Sequence, residues 1–71
     1  MTLAESLKSL REHAGLSQNA LAKLTGVPQS VISDVERGVQ PTITLETAKE
    51  LADALGVTLD QLAGRPGPAG E

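Results

Sequence analysis

Neither cysteine nor any aromatic residue occurs in this 71-residue chain. Whatever core it builds must come from Leu, Val, Ile and Ala, whose side chains are small. Below roughly 70–80 residues one such core seldom supplies more than about 3–5 kcal/mol. Without thiols there is no disulfide framework and no thiolate metal site. One histidine, His13, cannot form a His-rich metal centre. Idealised helix packing, or a partner chain, has to provide the remaining stability. The length allows one small domain. Leu, Ile and Val still make up about a quarter of the residues, above the range of disordered segments.

Glycines at 15, 26, 38, 56 and 64 divide the chain into short segments. Each follows a helix-like stretch, where a left-handed C-terminal cap favours Gly. The first segment, Thr2 to Ala14, places Leu3, Leu7, Leu10 and Ala14 on one helical face. Thr2 with Glu5 reads as a capping box. The second runs from Ser17, a plausible N-cap, to about Leu24, with Ala20, Leu21 and Leu24 as its buried side. The third is Pro28 to Arg37, with Pro in the first turn and Ile32 and Val35 inward. The fourth follows Thr44 and carries an apolar stripe of Leu45, Ala48, Leu51, Ala52 and Leu55. The fifth is short: Thr58 and Gln61 form a second capping box, and Leu59 and Leu62 anchor it. Ile43 and Leu45 alternate with threonines, but Pro41 demotes this stretch to a loop. The expected fold is therefore all-α, with five short helices in residues 1–63. A flexible Gly/Pro-rich tail or linker, 64–71, completes the chain.

Only Thr25, Gly26 and Val27 separate the second and third segments. So short a connection forces a sharp angle between two helices and projects the second outward, which is helix-turn-helix geometry. Ala22 lies where a bulkier side chain would push the third segment away. Val27, Ile32 and Val35 pin that segment, leaving Gln29, Ser30, Ser33 and Asp34 off its apolar face.

The stretch Leu16 to Gly38 reads LSQNALAKLTGVPQSVISDVERG, followed by Leu45-Glu46-Thr47, Leu51-Ala52, Ala54-Leu55-Gly56-Val57 and Leu59-Asp60-Gln61-Leu62. This ordered set resembles the phage-repressor/Cro-like, or XRE-type, helix-turn-helix family over residues 2 to about 63. The resemblance implies a lambda-repressor-like domain. In it the helix from 28 to 37 enters the major groove of a near-palindromic DNA operator and regulates transcription, with repression as the default. It further implies a homodimer through the fifth segment and the end of the fourth. Two-fold pairing would read half-sites about 34 Å apart and add core to a thin domain.

A helix fits the major groove of B-DNA, and the N-terminal part of the second helix of such a motif meets base edges. Gln29 is the first candidate base reader, because a glutamine amide can pair with adenine N6 and N7 together. The bland alternative is a solvated polar residue at a helix start. Ser30 suits a base or a phosphate, and Ser33 shares that face. Asp34 either accepts from cytosine N4 or pairs with Arg37 one turn away. Val31 either touches a thymine methyl or packs half-buried. Gln18 heads the second segment, where free N–H groups favour a phosphate, and the resemblance assigns it that role. Ser17 is first a cap. Arg37, Gln40, Thr42 and Thr44 are further phosphate candidates, and Lys23 is either a helper or simply solvated. The family often couples an Arg at the end of its first helix to the Glu of Glu-Arg-Gly, which implies a structural ion pair between Arg11 and Glu36.

Enzymatic machinery is not evident. His13 sits near a helix C-terminus, where a cation is favoured. No phosphate loop, paired-carboxylate site or nucleophile–base set stands out, and no cofactor or metal is implied. No apolar run approaches the roughly 20 residues of a membrane span. Residues Met1 to Glu5 show no basic or apolar leader, so the expected compartment is the cytoplasm. The rival to DNA binding is an antitoxin or interaction module of the same fold, binding a toxin or other protein through an acidic surface. The net charge of −3 and a pI near 5.0 favour that rival at first sight. Residues 1–16 and 17–44 are each balanced, however, and the whole excess lies in 45–71. Few cations, and a 39–42 loop without Lys or Arg, imply weak non-specific affinity for DNA and a shallow salt dependence.

Overall fold

A computed structural model describes residues 2–40 and 42–64. Five helices follow one another: α1 (Leu3–His13), α2 (Gln18–Thr25), α3 (Gln29–Glu36), α4 (Leu45–Leu55) and α5 (Leu59–Leu62). Among the described residues there is no strand, and none of the helices is long and apolar enough to cross a membrane. The tail beyond Gly64 lies outside the described residues, as does Pro41.

Four of the five helices begin on a threonine or serine whose hydroxyl accepts the N–H three residues ahead: Thr2, Ser17, Thr44 and Thr58. Both capping boxes close, with Thr2 N–H donating to the Glu5 carboxylate at 3.0 Å and Thr58 N–H to Gln61 Oε1 at 2.9 Å. α3 is the exception. Pro28 is its N-cap rather than part of its first turn, and no side chain caps it. The helix therefore runs one residue shorter at each end than 28–37.

Gly26 ends α2 at φ 78°, and a Cβ there would meet nothing within 4 Å. The constraint is conformational, not spatial: any L side chain is strained at that φ. Thr25 then closes the turn. Its hydroxyl donates to the Leu21 carbonyl at 2.8 Å and accepts from Val27 N–H at 3.1 Å. With Val27 buried and Pro28 starting the next helix, the chain reverses within three residues.

The core is Leu7, Leu21, Val27, Ile32, Val35, Leu51, Ala52 and Leu62. α3 packs on α1 and α2, α4 on α2 and α5, and α5 on α1. One buried hydroxyl crosses this arrangement: Ser6 of α1 donates to the Gln61 carbonyl of α5 at 2.7 Å. Four apolar expectations fail. Leu24 is 64% exposed, Leu45 67% and Leu59 39%, and Ala14 is also exposed. α2 is only eight residues long, and Leu21 fills its inward position. Leu24 projects past the edge of the core. Leu45 and Leu59 head their helices, ahead of the turn that packs. Val31 is half-buried against the core.

Candidate nucleic-acid interface

α3 sinks Ile32 and Val35 into the core, packs Val31 half-buried against it, holds the Glu36 side chain inside, and turns its remaining polar side chains outward. Gln29, Ser30 and Arg37 are exposed, and Ser33 and Asp34 half-exposed. This row is the continuous polar face of a helix whose opposite side is fixed to α1 and α2. No side chain caps the start of α3, where the first N–H groups carry a partial positive charge.

Behind the row lies a chain of polar side chains. Arg11 donates from Nε to Glu36 Oε2 at 2.7 Å and from Nη2 to Oε1 at 3.0 Å. Its third nitrogen, Nη1, donates to the Leu16 carbonyl at 2.8 Å. The Arg11 and Glu36 side chains are only 11% and 4% exposed. Glu36 Oε1 also accepts from Gln18 Nε2 at 3.1 Å, and Gln18 Oε1 accepts from Gln29 Nε2 at 3.0 Å. Three helices are thereby joined through polar contacts, from the last turn of α1 to the first residue of α3. Burial pushes the Glu36 carboxyl up. The hydrogen bonds from Arg11 and Gln18, with the charges of Arg11 and Lys8, outweigh that and hold it below its ordinary 4.5. The hydrogen bond to Glu36 raises the Arg11 guanidinium further above its already high value.

A pH dependence follows. A carboxyl whose folded value is depressed contributes stability that is fully present above the unfolded value and is lost as pH falls through the folded one. Stability is expected to be level at neutral pH and to decline below about pH 4.5. Urea unfolding followed across pH 2–7 checks this. An acid limb that is identical after removal of the Glu36 carboxyl would show that it originates elsewhere.

The remaining candidates fall into place unevenly. Ser17 caps α2 by accepting from Ala20 N–H at 3.0 Å, which leaves its own O–H to donate. Thr44 caps α4 and also donates to the Thr47 hydroxyl at 3.0 Å. Gln40 folds back and donates to the Thr42 carbonyl at 3.1 Å, while Thr42 itself stays exposed. Asp34 meets Arg37 at 3.5 Å, with side chains 42% and 65% exposed, a loose surface pair. The Asp34 carbonyl also accepts from Val39 and Gln40 N–H, turning the chain away after α3. Thr25, Ser6 and the Leu16 carbonyl were missed by sequence reasoning. A Thr directly before a turn glycine was the available sign of the first. The other two roles depend on which helix arrives opposite, and carry no local sign. Among the described residues no cluster of His, Asp or Glu could hold a metal ion.

The family model described as helix-turn-helix matches residues 7–62, most of the chain. The chain belongs to the XRE-type helix-turn-helix family. This helix-turn-helix domain is similar to the control protein C.SmaI of Serratia marcescens, with 38% identity over 65 residues, 92% of this chain and 76% of that protein. It is also similar to the HTH-type transcriptional repressor RghR of Bacillus subtilis, with 35% identity over 66 residues, 93% of this chain. The chain spans 49% of the length of that repressor. Membership places the helix-turn-helix domain among non-enzymatic DNA-binding regulators of transcription. Its α2, Gly26 turn and α3 are the motif itself.

Proposed function

We propose that this chain represses transcription by binding a specific double-stranded DNA site, with α3 in the major groove. The observation that carries the reading is the outward polar row of Gln29, Ser30, Ser33 and Asp34 on a helix held at a sharp turn. Gln29 spends one amide N–H on Gln18. Its carbonyl oxygen and second N–H remain for adenine N6 and N7. Gln18 keeps one N–H for a phosphate, alongside the Ser17 hydroxyl and the start of α2. Arg37, with the Gln40–Thr42 loop and Thr44, supplies phosphate contacts on the far side. A chain of this kind works in the cytoplasm and needs no cofactor. The relatives named as a control protein and a repressor support the reading.

Selection of binding sites from random duplexes at low salt is the test. A near-palindromic consensus is expected, and the absence of any duplex preference would overturn the reading. Lys23 and Arg37 are the exposed cations beside the motif. At about −0.9 per phosphate, four such cations in a dimer give a slope of log affinity against log salt no steeper than about −4. A slope well beyond that would mean a different contact surface.

The site also calls for two copies, since one small domain covers a single half-site. The family resemblance implies an interface of α5 with the end of α4; the exposed apolar side chains are instead Leu59 of α5 and Leu45 at the start of α4, beside a groove lined by Ile43, Ala48 and Leu62. A second copy covering this face would bury the apolar side chains that the thin core leaves out. Sedimentation equilibrium is expected to show a dimer, and Leu59→Asp to show a monomer. A monomer at high concentration, with and without DNA, would remove the two-fold reading. The acidic Glu46, Glu50, Asp53 and Asp60 are all exposed on α4 and α5. They mark where a toxin or other basic protein partner would bind under the antitoxin reading, which a selected DNA consensus would displace.

A further inference from the structure

We propose that Glu36 fixes the hydrogen-bond polarity of Gln29 through Gln18, and is thus a positioning residue for base selection. The base-selection part rests on the DNA-binding reading above; the polarity part does not.

A glutamine amide has an oxygen that accepts and a nitrogen that donates, at opposite ends of a nearly symmetric group. Rotating it by half a turn exchanges the two. Gln29 is exposed at the first position of α3, and the side-chain hydrogen bond it makes among the described residues goes to Gln18 of α2 and not to its own helix. The preference comes from behind. An ionised carboxylate only accepts. The two-pronged contact with Arg11 favours the ionised form of Glu36 and fixes where its oxygens lie, in a position with 4% side-chain exposure. Gln18 lies 3.1 Å from Glu36 Oε1 and must show it the nitrogen, since its oxygen there would set acceptor against acceptor. Gln18 Oε1 is then aimed at Gln29, 3.0 Å away, and Gln29 must in turn show its nitrogen. A charge buried behind α3 thereby decides which end of the exposed amide donates. The outward face of Gln29 is left with its carbonyl oxygen and one N–H on fixed sides. Reversal at any one link would reverse or free the next.

The arrangement also accounts for the position of Gln18. It stands 11 residues from Gln29 and 18 from Glu36, and among the described residues it is the only side chain that bonds both. Its two amide ends face two different helices, so it transmits orientation as well as adding a contact.

The test uses the full chain and two variants. Gln18→Met leaves the Arg11–Glu36 pair intact but breaks the transmission. The double variant Arg11→Met with Glu36→Gln removes both charges and replaces the acceptor-only group with one that can donate or accept. Replacing a buried ion pair as a unit is commonly tolerated, and a thermal melt confirms that each variant is folded. The first readout needs no DNA: the side-chain amide signals of Gln18 and Gln29 in nitrogen-15 NMR spectra. In the wild type both are expected at shifted, slowly averaging positions. In each variant the Gln29 signals should move to those of a freely rotating glutamine. The second readout is the base preference at the position read by Gln29, taken as a ratio of affinities. It is expected to fall by about tenfold in both variants, within the range of one bidentate base contact. A wild-type Gln29 amide that already averages freely, or variants that leave its signals unchanged, would overturn the polarity assignment. Altered amide signals with an unchanged base ratio would overturn its role in selection. If no duplex is selected at all, the functional reading fails while the amide signals still decide the polarity.

Discussion

Arg11→Ala is expected to leave the domain largely unfolded at room temperature. Arg11 makes three hydrogen bonds, two to the Glu36 carboxylate and one to the Leu16 carbonyl. Its loss leaves a carboxylate with 4% side-chain exposure and, among the described residues, Gln18 as its remaining side-chain partner. Breaking one half of such a pair costs about 3–5 kcal/mol. That equals roughly all the stability a core of this size supplies. Helical circular dichroism at 25 °C should fall to a small fraction of the wild-type signal. A variant within about 0.5 kcal/mol of wild type by urea unfolding would show that the pair carries no weight. Charge reversal sharpens the point. Arg11→Glu combined with Glu36→Arg is expected to be more stable than either reversal alone, yet below wild type. A glutamate at 11 cannot donate to the Leu16 carbonyl and would repel it. Two damaging single reversals with no gain in the double would mean that the side chains act independently.

Ile32→Ala is the second large effect. Ile32 is completely buried and lies on the inner side of α3, directly beneath the outward row. Truncation removes apolar contacts and leaves a cavity in a core that has no aromatic side chain to relax into it. The expected cost is about 2–5 kcal/mol. In a chain this small that lowers the melting temperature by on the order of 10 °C or more. Leu24→Ala, at a position 64% exposed, should change stability by no more than about 0.5 kcal/mol. Thermal melts of the two variants side by side check both values. Equal losses would mean that Leu24 is covered in solution, for which a second copy of the chain is the first candidate.

These two leucine-class positions look alike in the sequence. Both sit at helical spacing from other apolar residues, and only one is core. Hydrophobic periodicity reports which side of a helix is apolar. It carries no information on how far the neighbouring helices extend to cover that side. α2 packs against α3 and α4 with Leu21 fully enclosed, while Leu24, about one turn further on, is left exposed. The same limit applies to Leu45 and Leu59 at the starts of their helices.

Polar residues divide in a similar way. Cap hydroxyls act on N–H groups three residues ahead, so Thr2, Ser17, Thr44 and Thr58 could be read as caps from spacing alone. Gln18 could not be read beyond its place at a helix start, because its partners lie on a different helix. For Gln40 the polar character was visible, but not the contact with the Thr42 carbonyl that folds its side chain back.

By itself, then, the apolar periodicity between regularly placed glycines pointed to an all-helical build. Local capping set where four of the five helices begin, and the left-handed demand at Gly26 set where the sharp turn falls. The family likeness indicated which helix faces outward. Only the tertiary structure decided which apolar residues are enclosed, and that Arg11, Glu36, Gln18 and Gln29 form one connected path. The physical reason is range. Caps and turns are satisfied within about four residues of chain. Burial and hydrogen-bond polarity are set by groups brought together from segments far apart in sequence.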